Sequence, residues 1–225
     1  MTEVEWLICD NVKSMLRVLR GRADERKLRL FAVAGCRSVW SLVQGMDGQR
    51  ALETAEGYAD GAVTQHEMIT AYVSTNTLIN VIRSQSRNVH QDPKAFALLA
   101  VLRGTSTGLC FYGRDWEYET YDPYQCASDV AEYVEKGSAW GKKGDTLRDI
   151  FGNPFRPVAF DTAWRTDTAV ALATQMYESR DFGAMPILAD ALQDAGCDSD
   201  DILSHCRGPG PHVRGCWVVD LVLGK

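Results

Sequence analysis

The chain has 225 residues, 45% hydrophobic and 24% charged, with a formal net charge of −6 at pH 7. That length and composition fit a globular protein with a substantial apolar core, and the acidic balance argues against nucleic-acid binding, which needs a positive field. No apolar run approaches the roughly 18 residues of a membrane span, and the N-terminus lacks the basic and apolar regions of a signal peptide.

Seven cysteines at irregular spacings suit free thiols, so the expected setting is a reducing cytoplasm. Helical periodicity dominates the chain. Thr2 and Glu5 form a capping box, each satisfying an orphaned backbone N–H, and open a short helix carrying Val4, Trp6, Leu7 and Ile8. Val12, Met15, Leu16 and Leu19 make an apolar stripe that ends at Gly21, a left-handed cap.

Asp24 opens a longer helix in which Leu28, Phe31, Ala32, Cys36, Val39 and Val43 repeat at three- and four-residue steps. Another helix is expected from about Gly48 to Asp60. Thr64 and Glu67 form a second capping box ahead of a helix to about Arg83, carrying Met68, Tyr72, Leu78, Ile79 and Ile82. Asp92, Pro93 and Gly104 bracket a further one as N-cap, first helical residue and terminator.

The segment GTSTGLCFYGRDWEYETYDPYQ breaks this pattern with six aromatics and several glycine or proline interruptions. Alternation across it suggests a short β-hairpin near 109–121, turning at GRD. Helices then follow around Ser128 to Glu135, within GDTLRDIF, from Asp167 to Ser179, and from Pro186 to a stop at Gly196. Ser199 caps another, and HVRGCWVVDLVLG closes the chain.

The expected fold is therefore all-α, a bundle or array of about ten helices with an irregular aromatic insertion. It reads as a single domain over 1–225, with a subdivision into 1–135 and 145–225 as the alternative.

Three groups of residues invite a functional reading. Phe111, Tyr112, Trp116, Tyr118, Tyr121 and Tyr124, with acids Asp115, Glu117, Glu119 and Asp122 among them, suit a contact surface for another protein with a basic face. Arg207, His212 and Arg214 flank a glycine- and proline-rich turn and could hold an anion, or instead pair with Asp198, Asp200 or Asp201 to tie helices together.

Cys197, His212 and Cys216 are the candidate metal ligands, with zinc the metal they would suit. His205 and Cys206 are neighbours whose side chains diverge by about 100° on a helix, so one ion cannot readily take both. The favoured reading of this corner is core thiols and capping histidines, with no cofactor. A thiol nucleophile at Cys206, with His205 or His212 as base, lacks any surrounding signature.

The opening MTEVEWLICD…RGRADERKLRLFAVAGCRSVW and the closing RDIFGNPFRPVAFDTAW…HCRGPGPHVRGCWVVDLVLGK resemble an uncharacterised, multi-copy bacterial family of helical proteins that share this C-terminal module. The resemblance spans about 60% of the chain and implies a helical scaffold. It implies no activity and no catalytic residue. Relatives can carry leucine at the position of Cys206, which weakens that residue as a ligand, and their middle segments are more alanine-rich. The leading expectation is thus a non-enzymatic interaction or scaffold module, with a metal- or anion-binding corner as the alternative and a cysteine hydrolase as the second.

Overall fold

A computed structural model describes residues 1–43, 47–85, 99–101, 103, 110–112, 118–120, 122–137, 141 and 143–225. Among the described residues the fold is all-α apart from one two-stranded hairpin, and the chain separates into two compact units. One unit comprises residues 11–143. The other joins residues 1–10 to 144–225, so the first helix belongs with the C-terminal module and not with the chain that follows it.

In the unit of residues 11–143, α2 (Val12–Leu19) is capped by Asn11 and buries the stripe Val12, Met15, Leu16 and Leu19. Asp24 caps α3 (Glu25–Ser38), whose buried residues include Leu28, Phe31, Ala32 and Cys36. The periodic stripe runs on to Val43, but the helix stops at Ser38 and a short α4 (Trp40–Val43) takes over. The Arg37 guanidinium, 4.8 Å from the Trp40 ring, lies at that break. It also pairs with the buried Glu56 carboxylate at 2.6 and 2.9 Å.

Glu56 belongs to α5 (Asp47–Ala59), which packs on α3 and on α6 (Gln65–Gln85). The Thr64–Glu67 capping box opens α6, with the hydroxyl accepting from the Glu67 N–H and the carboxylate accepting from the Thr64 N–H. The hairpin is formed by β1 (Cys110–Tyr112) and β2 (Tyr118–Thr120), antiparallel with Phe111 opposite Glu119. Then α7 (Pro123–Gly137), starting five residues earlier than expected, lies against α2 and α3. Of the helix expected over 92–104, residues 99–101 and 103 are helical and the rest lies outside the described residues.

In the other unit, α1 (Glu3–Ile8) has the capping box expected of Thr2 and Glu5, but it buries only Trp6. Val4, Leu7 and Ile8 are exposed. Trp6 is fixed by a hydrogen bond from its indole N–H to the Gly152 carbonyl, 3.2 Å. Helix α8 (Lys143–Phe151) is tied to the same segment at two places. The Asp10 carboxylate accepts from the Gly144 N–H, and Arg148 donates to the Trp6 and Cys9 carbonyls at 2.8 Å each, satisfying orphaned groups at both helix ends.

A side chain at position 144 has no room, because a Cβ there would press on the Cys9 carbonyl and the Asp10 side chain. The core of this unit comes from α9 (Asp167–Ser179), α10 (Met185–Asp194), α11 (Asp200–Arg207) and α12 (Trp217–Leu223). Ala173, Leu188, Leu192, Ile202, Cys206 and Val219 are among the buried side chains that fill it. Pro186 sits in the first turn of α10, where a missing N–H is harmless.

A candidate metal centre

Asp149 lies on the buried face of α8, beside Leu147 and Ile150, and its side chain is 2% exposed. A carboxylate in that position must find partners, because an uncompensated buried charge is costly. It finds three. His212 Nδ1 is 2.8 Å from Oδ1, His205 Nε2 is 3.2 Å from the same oxygen, and the Val213 backbone N–H donates to Oδ2 at 2.8 Å.

The histidines come from the closing corner of the unit. His205 stands in the last turn of α11. His212 sits in the turn after it, and Cys216 is the residue before α12, which begins at Trp217. The two are therefore not on one helical face, and the turn itself brings them together. Cys216 Sγ lies 3.2 Å from His205 Nε2. The histidine rings meet edge to face at 5.0 Å, and Trp217 covers His205 at 5.2 Å. One ligand atom each from Asp149, His205, His212 and Cys216 falls within 4.8 Å of all the others.

Electrostatics set the protonation of the group. Burial by itself raises the Asp149 pKa, but the hydrogen bonds and charge of His205 and His212 outweigh it and hold the carboxyl below its ordinary value. Burial, with the Asp149 charge beside it, pushes the Cys216 thiol well up. Cys206 is also pushed up, to about 12, chiefly by burial. A thiol in that condition is inert as a nucleophile.

The cluster overlaps the sequence-derived metal set in part. His212 and Cys216 belong to the cluster, but Cys197 does not, and Asp149 and His205 complete it. The neighbours His205 and Cys206 do diverge. His205 turns into the cluster while Cys206 turns into the apolar core at 0% exposure. Asp149 carried one readable signal, a carboxylate within the apolar stripe of its helix, but it lies 56 residues or more from the others along the chain.

Arg207, His212 and Arg214 are turned to different partners. Arg207 donates to Asp190 and Gln193 at 2.8 and 2.7 Å, and Arg214 lies over the Tyr177 ring at 4.4 Å. His212 serves Asp149. Of the aromatic set, Trp116 and Tyr121 lie outside the described residues, and Phe111, Tyr112 and Tyr118 stand in the hairpin strands. Tyr124 is occupied within the fold: its hydroxyl accepts from the Gly21 N–H at 3.1 Å and donates to the Leu19 carbonyl at 2.9 Å.

One carboxylate and one thiol, both buried, with two partly buried imidazoles make a four-ligand set of the kind that suits a structural transition-metal ion. Comparison with family models, curated proteins and solved structures finds no match to the chain.

Proposed function

We propose that the protein is a non-enzymatic helical scaffold whose unit of residues 1–10 and 144–225 is built around one zinc ion, held by Asp149, His205, His212 and Cys216. The observation that carries this reading is the convergence on His205. Asp149 Oδ1 and Cys216 Sγ both lie 3.2 Å from the same ring nitrogen, Nε2. A nucleophile–base–orienter relay needs the thiol on one imidazole nitrogen and the carboxylate on the other. Atoms that share one nitrogen instead face a common centre.

The spacing supports that centre. With zinc bonds of about 2.0–2.3 Å, tetrahedral ligands lie roughly 3.3–3.6 Å apart. The separations of 2.8, 3.2 and 3.2 Å lie just under this and the remaining pairs fall within 4.8 Å, so side-chain adjustment about an ion would bring the four to a common distance. Charge fits too: one carboxylate, one thiolate and two neutral imidazoles neutralise a divalent cation, so the loaded site is compatible with burial. The ion would deprotonate Cys216 outright despite its raised pKa.

Four protein ligands leave no open coordination position, which is the mark of a structural and not a catalytic site. The ion would join α8 to the α11–α12 corner, so folding and metal binding would be coupled. The test is thermal unfolding of protein purified without chelator. A strong chelator should lower the melting temperature and zinc should restore it; an unchanged melting temperature with substoichiometric zinc would overturn the reading.

A further inference from the structure

The unit of residues 11–143 carries a second arrangement with its own chemistry. Lys13 and Arg17 project from α2, beside its buried apolar stripe, and Arg20 follows as its C-cap residue. They line a cleft of about 270 Å³ whose other wall includes Asp122, Tyr124 and Ser128 from the start of α7. Its size lies near the lower edge of the roughly 300–1,000 Å³ usual for small-molecule sites, so it suits a compact group.

Three cations face one lining carboxylate there, on a chain whose net charge is −6. Two of the cations have partners. Arg20 reaches Asp122 at 2.6 Å and Lys13 reaches Glu132 at 3.4 Å, both exposed pairs of the kind that contribute little and exchange readily. Arg17 has no ion-pair partner among the described residues. Ser128 adds a neutral donor to the same wall. It is only 8% exposed, it lines the cleft, and its hydroxyl makes no hydrogen bond among the described residues. Hydroxyls elsewhere in these helices bond back to a carbonyl one turn earlier, as Thr70 and Thr75 do. The Ser128 hydroxyl is left as a donor on the cleft wall.

We infer that this cleft binds a phosphomonoester or inorganic phosphate dianion. Lys13, Arg17 and Arg20 outnumber the carboxylates of Asp122 and Glu132 and leave the cleft net positive, guanidinium groups present forked donors that fit phosphate oxygens, and the serine hydroxyl supplies a further donor. The site is independent of the metal centre and stands or falls separately.

The test is calorimetric titration of the full chain with inorganic phosphate, phosphoserine and succinate at fixed ionic strength. Saturable binding of one equivalent of phosphate or phosphoserine is expected, with succinate, of equal charge, binding at least about tenfold more weakly. Stronger binding of phosphoserine than of inorganic phosphate would point to a phosphorylated partner, the reverse to the free ion. Arg17→Ala and Ser128→Ala should each weaken binding by about tenfold, and neither removes a side-chain hydrogen bond or ion pair made among the described residues. Absence of saturable binding, equal binding of succinate, or unchanged affinity in both variants would overturn the inference.

Discussion

His212 Nδ1 and Asp149 Oδ1 meet at 2.8 Å although 63 residues separate them in the chain. This contact joins the buried face of α8 to the turn between α11 and α12, and it places a carboxylate where an apolar side chain would otherwise stand. Both residues are nine-tenths buried or more, at 9% and 2% exposure. His212 Nε2 has no hydrogen-bond partner among the described residues. The carboxylate offsets its burial through His212, His205 and the Val213 N–H, three partners that one substitution would strand together.

Replacing Asp149 with asparagine should therefore be severe. It removes the charge that two histidines share, and it leaves Val213 and one imidazole poorly paired. A loss of about 3–5 kcal/mol in urea unfolding is expected, as for other broken buried pairs. A loss under about 1 kcal/mol would mean that the carboxylate is dispensable.

Acid should unfold the metal-free protein partly through the same group. The Asp149 pKa is depressed in the folded state. Its contribution is then fully present above its unfolded value of about 4 and is lost as pH falls through the lower, folded value. Unfolding free energy measured from pH 5 downward should fall less steeply in Asp149→Asn than in wild type. Parallel curves would contradict this origin.

Adjacent residues of α10 offer a contrast in packing. Leu188 is fully buried in the core of its unit, while Ile187 is 58% exposed. Leu188→Ala should cost about 2–5 kcal/mol through lost burial and a cavity, and Ile187→Ala should stay within about 0.5 kcal/mol. Chemical denaturation of both variants checks the orientation of the helix.

Position 144 tests the joint between α1 and α8. Gly144→Ala adds a methyl against the Cys9 carbonyl and the Asp10 side chain, neither of which is the far end of a long flexible group. About 1–3 kcal/mol of destabilisation is expected, despite the better helix propensity of alanine. A stabilised variant would show that the joint is looser than described.

Much of the helical framework was legible because its signals are local. The Thr2–Glu5 and Thr64–Glu67 boxes, the stripe through Val12, Met15, Leu16 and Leu19, and the bounds Asp167–Ser179 all follow from neighbouring residues. The end of α3 at Ser38 was not legible, since no glycine or proline marks it and the apolar stripe continues past it. The site was half legible. His212 and Cys216 stood out by residue type and nearness, whereas Asp149 enters only through tertiary packing. Cys197 was drawn in by proximity in sequence alone. The late start of α12 also mattered: with Cys216 ahead of the helix, the turn, and not helical periodicity, sets its direction.

Titration of the metal-free protein with cobalt(II), followed by absorbance, reads the ligand set of Asp149, His205, His212 and Cys216 spectroscopically. One equivalent should produce tetrahedral d–d bands and a thiolate-to-metal charge-transfer band, with Cys216→Ser abolishing the latter and His205→Ala weakening binding. Cobalt spectra that show no thiolate band, or that are unchanged by Cys216→Ser, would contradict a metal centre at Asp149, His205, His212 and Cys216.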